Sequence, residues 1–386
     1  MKRINYYMSL AIGMLLFASC ASEETRPSDW LNESGEYIEG NSTYEIRLRG
    51  QETATITRAA IIGDESTAIL ENMGIFALAR AKQGTNPAAY DIQWFNAPNA
   101  NITYCIMDNV EARMESGDIS WTGKYFYPIT QFYNYDFYGY YPYTDDIDRN
   151  DNDVVAHYTI DGTQDLIWGR ATSNEDYAYS AKYYRKYPEN HPGLLAPDPV
   201  LELKHLLTRL TFTVQPGESY HQSGDYSQAE AMKVKSIEIV DAYTNLDIRV
   251  ADRENIDEAD WSDPDHVLRV TLRDDTKADL ALKNPDGTAL TLTQVPLHTD
   301  PALQVGESFM LFPATSYVIK IVLLDENDVE HISEIPLTLT FDEQNPIMFA
   351  RGKSYTVNIT VHGPREISLK GQLEDWEDLP GPALEL

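Results

Sequence analysis

Arg209-Leu-Thr-Phe-Thr-Val214 alternates apolar and polar side chains, which puts Leu210, Phe212 and Val214 on one face of an extended strand. Gln215-Pro-Gly217 stops it, because Pro and Gly punctuate extended segments. Just upstream, residues 199–209 read as a strand running into a short turn. Beyond a polar segment ending at Ala231 the same signature recurs at 234–240, 246–250, 267–272, 290–293, 309–312, 317–324, 335–339 and 355–361. Pro, Gly and Asp fill the turns, and no long amphipathic helix separates the runs. Parallel βαβ architectures, a Rossmann domain or a TIM barrel, are therefore set aside, and an all-β sandwich class is expected.

Working toward the N-terminus, Tyr44-Glu-Ile-Arg-Leu-Arg49 alternates and is closed by Gly50, giving a first strand at 44–50. Arg58-Ala-Ala-Ile-Ile62 and Met73-Gly-Ile-Phe-Ala-Leu-Ala79 follow. At 386 residues the chain has room for two domains, each able to bury a core. The polar stretch between them sets expected units at 43–217 and 232–386. The 61 acidic and 30 basic residues leave a formal charge of -31, a field that repels phosphate backbones and excludes a general nucleic-acid binder. Two cysteines, Cys20 and Cys105, are too few for a disulfide scaffold, a zinc ribbon or a cysteine-held iron–sulfur cluster.

The first residues read as an address. Lys2 and Arg3 precede Met8-Ser-Leu-Ala-Ile-Gly-Met-Leu-Leu-Phe17, an apolar run too short for a membrane span and suited to an export signal at 1–19. Leu16-Phe-Ala-Ser-Cys20 resembles a bacterial lipoprotein signal, which implies cleavage before Cys20 and acylation of its sulfur and amine, palmitate being a typical chain. The other reading is an ordinary secretory signal. Ala21-Ser-Glu-Glu24 resembles the surface-export signal of lipoproteins from the Bacteroidetes, and the polar residues 20–42 read as a flexible tether. Cys105, within Ile102-Thr-Tyr-Cys-Ile-Met107, is expected to be a buried small hydrophobe.

Chemistry-bearing patterns are scarce. There is no His-Glu-x-x-His, no Gly-x-Ser-x-Gly and no phosphate-cradling glycine loop, and the eight histidines are scattered singly. His205 reads as a packed or hydrogen-bonded core residue. No catalytic residues and no cofactor are expected, and the chain is read as a non-enzyme. Asp146, Asp148, Asn150 and Asn152 have the alternate spacing of a calcium loop, but Asp151 stands where that loop needs Gly and His157 where it needs Glu. A solvated acidic turn is the competing reading, so no metal is assigned. Residues 125–143 are crowded with aromatic rings. They serve either as strand residues covering a sheet, or as a platform on which Tyr133, Tyr135, Tyr138 and Tyr140 stack against a glycan.

Several short segments then point the same way: Phe137-Tyr-Gly-Tyr-Tyr-Pro142, Gln164-Asp-Leu-Ile-Trp168, Leu203-Lys-His-Leu-Leu-Thr-Arg-Leu210, Phe349-Ala-Arg-Gly-Lys-Ser-Tyr355 and Trp376. In order and spacing they resemble the fimbrillin family of Bacteroidetes pilus subunits, in the branch related to minor fimbrial subunits. The resemblance implies two tandem transthyretin-like β-sandwich domains with few short helices. It also implies export as an outer-membrane lipoprotein of a Gram-negative bacterium and polymerisation with other fimbrial subunits at the cell surface. In the family a protease cuts after an arginine that follows the first strand, which matches Arg58 and Ala59 here. The strand at 44–50 then leaves, and a donor strand from another subunit fills the groove. The C-terminal segment is the expected donor, with Leu373, Trp376, Leu384 and Leu386 as plugs, although Pro380 and Pro382 cannot donate a backbone hydrogen bond. A host or bacterial surface glycan or protein is the expected adhesion partner. The competing function is a monomeric surface lipoprotein that binds glycan through residues 125–143.

Overall fold

The computed structural model describes residues 44–52, 69–79, 94–95, 104–128, 134–150, 153–171, 179–252, 269–342 and 345–374. In the first half the strands are β1 (Leu48–Glu52), β2 (Ile69–Ala79), β3 (Cys105–Glu115), β4 (Asp118–Trp121), β5 (Tyr135–Tyr141), β6 (Ile147–Arg149), β7 (Asp153–Thr159) and β8 (Ile167–Ala171). Helix α1 (Ala181–Asn190) and strand β9 (Val200–His205) follow. The second half has β10 (Thr208–Pro216), α2 (Ser227–Glu230), β11 (Lys233–Tyr243), β12 (Asn245–Asp252), β13 (Val270–Leu272), β14 (Lys277–Ala281) and β15 (Thr293–Gln294). It closes with β16 (Leu303–Leu311), β17 (Ser316–Leu324), β18 (Glu330–Asp342), β19 (Asn345–Ile347), β20 (Lys353–Gly363) and β21 (Glu366–Glu374). The all-β class expected from the alternating runs holds.

A closed barrel in the order β1-β4-β3-β2-β5-β8-β9 and a four-stranded sheet β13-β12-β7-β6 surround the first core. Two further sheets, β16-β10-β20-β21 and β14-β11-β17-β18-β19, with β15 on β11, enclose the second. The barrel is an arrangement the strand pattern did not indicate. It closes because β1 pairs antiparallel with β4 and parallel with β9, joining two strands that would otherwise be edges. Glycine makes the tight stave contacts possible: a Cβ on Gly169 of β8 would stand 2.5 Å from the carbonyl oxygen of Glu202 on β9.

The two cores do not divide the chain at 217–232. Leu210, Phe212 and Val214 of β10 lie in the second core, while Leu246, Ile248, Val250 and Val270 of β12 and β13 lie in the first. β12 returns because its alternating apolar face matches β7, with Leu246 opposite Tyr158 and Ile248 opposite Ala156. Alternation specifies a strand and its face, not which sheet it joins. Helix α1 was also unread. Ser180 caps it by accepting from the Tyr183 amide at 3.3 Å, and its Tyr184 reaches back to stack on Tyr127.

Candidate assembly site

Residues 44–52 complete the barrel. The Ile46 amide donates to the Tyr125 carbonyl at 2.8 Å, the Tyr127 amide to Tyr44 at 3.1 Å and the Gly50 amide to Gly117 at 2.9 Å. On the other side the Arg49 amide donates to Pro199 at 3.0 Å, and Arg49–Glu52 then run parallel to 200–203. Ile46 and Leu48 point inward and are each 2 % exposed, whereas Arg47 and Arg49 face water. Tyr44 rests against Tyr184 of α1, which stacks on Tyr127 with ring centroids 5.0 Å apart. Fully burying two such aliphatic side chains is worth about 3–6 kcal/mol, and the ladder bonds add to that. The segment is thus a stave with two apolar plugs and hydrogen bonds along both sides.

Next to this seat lies Asp198. Burial raises its carboxyl above the ordinary value against the pull of Arg47 and Arg49, with Asp118 adding to the rise. Both opposing guanidinium groups belong to residues 44–52. Surface pairs Arg49–Asp118 at 3.5 Å and Lys124–Glu45 at 3.1 Å hold the strand's outer side only weakly, because water screens them.

At the other end of the chain, β21 is the edge strand of its sheet and runs antiparallel to β20. Ile367 and Leu369 pack against the second core, opposite Val361 and Ile359. Leu373 lies opposite Tyr355 and is 59 % exposed. Of the residues singled out as donor plugs, Leu373 therefore sits in the chain's own sheet. Trp376, Leu384 and Leu386 lie outside the described residues, as do Cys20, Arg58, Ala59, Tyr133 and Asn152.

Three of the four tyrosines proposed as a glycan platform are core residues. Tyr135, Tyr138 and Tyr140 are 1 %, 2 % and 0 % exposed, so no ring face is open to a sugar. Tyr140 donates its hydroxyl to Asn109 Oδ1 at 2.6 Å, and burial pushes the Tyr138 phenol well above its usual range. Both faces of β5 are covered, which a run of aromatic residues cannot reveal by itself.

The calcium spacing likewise resolves into a hairpin with its own partners. Asp148 Oδ2 lies 3.2 Å from His157 Nε2, Asp146 lies 3.9 Å from Arg273, and Asn150 Oδ1 accepts from the Asp153 amide at 2.8 Å. Among the described residues no group of three or more His, Cys, Asp or Glu side chains could hold a metal ion. His157 also meets Asp247 of β12 at 2.7 Å. Burial opposes its charge, but the bonds to Asp247 and Asp148 prevail and raise its pKa.

His205 forms a buried pair with Asp165 at 2.5 Å, the packed role expected of it. The Cys105 thiol donates to the Met107 carbonyl at 3.3 Å, and burial pushes its pKa up to about 12, which disfavours the thiolate.

The sequence profile of a family described as fimbrillin-like matches residues 57–376. No curated protein matches the chain. Among solved structures, a fimbrial protein from Bacteroides vulgatus aligns at 15 % identity over 86 % of this chain and 99 % of that chain, with a TM-score of 0.46. A candidate cell adhesion protein from Bacteroides uniformis aligns at 14 % identity over 86 % and 98 %, with a TM-score of 0.46. A fimbrial anchor protein from Porphyromonas gingivalis aligns at 10 % identity over 86 % and 98 %, with a TM-score of 0.35.

Proposed function

The chain belongs to the fimbrillin-like family, a family of structural adhesion proteins rather than enzymes, and from that premise we propose that it polymerises by donor-strand exchange as a structural or accessory subunit of a cell-surface fimbria. The observation that carries the proposal is the position of residues 44–52: a short first strand, pinned along both sides, bridges β4 and β9 in the barrel order, and no other strand among the described residues does so. In this reading the subunit reaches the outer membrane as a lipoprotein acylated at Cys20. A protease then cuts between Arg58 and Ala59, and residues up to Arg58 depart.

Loss of the strand leaves unpaired backbone on β4 and β9 and two apolar sockets vacated by Ile46 and Leu48. A donated strand repairs both, supplying ladder bonds and side-chain plugs. Because β21 already belongs to the second core, the donor begins after it, and Trp376, Leu384 and Leu386 supply the plugs. Pro380 and Pro382 then take positions whose amides face away from the ladder. One groove and one tail per subunit make a head-to-tail contact that does not close on itself, and such contacts build filaments. The glycan-platform alternative loses its basis, since three of its four rings are in the core.

The test is intact mass and N-terminal sequencing of protein released from native cell surfaces, with gels run unboiled and boiled. The expected result is an N-terminus at Ala59 and a ladder that collapses on boiling. A purely monomeric protein that keeps acylated Cys20 would overturn the polymer reading.

A further inference from the structure

The chain passes between the two cores more often than two tandem domains require. It leaves the first core between β9 and β10, returns between β11 and β12, and leaves again between β13 and β14. The returning pair supplies half of a sheet in the first unit, with β12 antiparallel to β7 along 153–159. Leu246, Ile248, Val250 and Val270 on this pair are completely buried in the first core.

The far end of the pair is pinned inside. Arg269 Nη1 lies 2.8 Å from Asp252 Oδ2, and both side chains are almost fully buried. The guanidinium sits 4.3 Å over the ring of Trp168 on β8, whose Nε1 donates to the Val250 carbonyl at 2.8 Å. Beside its near end, the segment after β7 is tied both to the pair and to the second unit. The Ile160 amide donates to Thr244 and the Met310 amide to Gly162, both at 2.8 Å, and Lys283 pairs with Asp161 at 2.7 Å. Gly162 has φ +87°, and a Cβ there would stand 2.9 Å from the Phe309 ring, so the approach is as close as glycine permits. Met310, although on β16, packs into the first core.

We propose that the β12–β13 pair is a brace that makes the two cores one cooperative body, with Arg269 as its pin, so that the subunit bears load without parting between them. The pair cannot leave the first core without exposing four aliphatic side chains, stripping β7 of one of its two partners, lifting the Arg269 guanidinium off the Trp168 ring and breaking the Trp168–Val250 bond. Equally, the second core cannot unfold without freeing β11 and β14, which hold the two ends of the brace. This inference concerns the folded subunit alone and stands whether or not its first strand is exchanged.

The test uses the full chain in urea, with hydrogen exchange read by mass spectrometry on β2 peptides for the first core and β17 peptides for the second. In the unaltered protein both sets are expected to lose protection at one midpoint. Ile321→Ala, fully buried in the second core, is expected to lower both midpoints by the same amount. Arg269→Met is expected to split them, with β2 peptides opening at lower urea than β17 peptides. Two midpoints in the unaltered protein, an Ile321→Ala effect confined to β17, or coincident midpoints in Arg269→Met would each overturn the proposal. If Arg269→Met does not fold, the unaltered protein and Ile321→Ala still decide it.

Discussion

Both cores mix rings with aliphatic side chains, but the first holds more of the buried rings. Phe76, Tyr127, Tyr135, Phe137, Tyr138, Tyr140, Trp168 and Tyr179 crowd the first, where Tyr127–Phe137 and Phe137–Tyr179 meet edge-to-face. Ile237, Ile239, Ile319, Ile321, Val357 and Ile359 line the second, whose buried rings are Phe212, Phe309, Tyr317, Phe349 and Tyr355. The difference bears on how each region tolerates the loss of a strand. The ring network of the first core is carried by β2, β5, β8 and their connections, and residues 44–52 contribute only Tyr44, Ile46 and Leu48 to it. A core that keeps its largest buried side chains when one stave leaves is suited to holding an open groove. In the second core β10, β11, β17 and β20 each bring several of the buried side chains, while the edge strand β21 adds the partly buried Ile367 and Leu369.

That contrast is broken most directly at Trp168. Trp168→Ala removes the ring beneath Arg269 and the bond to Val250, and is expected to cost about 3–5 kcal/mol in urea denaturation. Ile321→Val in the second core should cost only about 0.5–1.5 kcal/mol, because a single buried methylene leaves. If Trp168→Ala proved the milder of the two, the ring network would not be what holds the first unit together. Between them falls Gly169→Ala. Its Cβ meets the Glu202 backbone, so β8 and β9 must separate, at about 1–3 kcal/mol. Since β9 seats the first strand, this variant should also speed limited proteolysis between residues 52 and 69. An unchanged cleavage rate alongside lowered stability would mean that β9 does not set the grip on that strand.

The same contrast explains how much could be read in advance. In β17 and β20 most exposed or half-exposed positions alternate with buried ones, as in a sheet with one wet face, so residues 317–324 and 355–361 were legible as strands with a defined inner side. In β5 six consecutive residues are buried and in β2 seven, so period two carries no information about which way Tyr138 or Phe76 points. The tyrosine run therefore admitted a surface platform that the covered faces of β5 rule out. Strand partners were illegible for a different reason. Residues 44–52 bond to 117–127 on one side and to 199–203 on the other, and β12 bonds to β7, about ninety residues upstream. Local pattern cannot encode pairings at that separation. The first strand itself was visible, because Tyr44-Glu-Ile-Arg-Leu-Arg49 alternates and its plugs, Ile46 and Leu48, are the inward residues of that alternation.

The smallest expected effect is in the pH response, where the two regions should differ in sign. His157 lies between Asp148 on β6 and Asp247 on β12, and a neutral imidazole has only one N–H for two carboxylates. The protonated ring satisfies both, in keeping with its raised pKa. A raised folded-state value contributes stability that is fully present below the unfolded value of about 6.5 and is lost as pH rises through the folded value. In the second unit, Asp325 accepts from the Val329 amide and meets His331, and its pKa is lowered. That contribution is present above the unfolded value of about 3.9 and disappears as pH falls through the folded one. Denaturation midpoints measured from pH 8 to pH 5 should therefore rise slightly, and His157→Gln should flatten that rise without altering the decline in stronger acid. Asp325→Asn should do the reverse. A His157→Gln profile that still rises between pH 8 and pH 5 would place the titrating group elsewhere and leave the β6–β7–β12 sheet insensitive to mild acid.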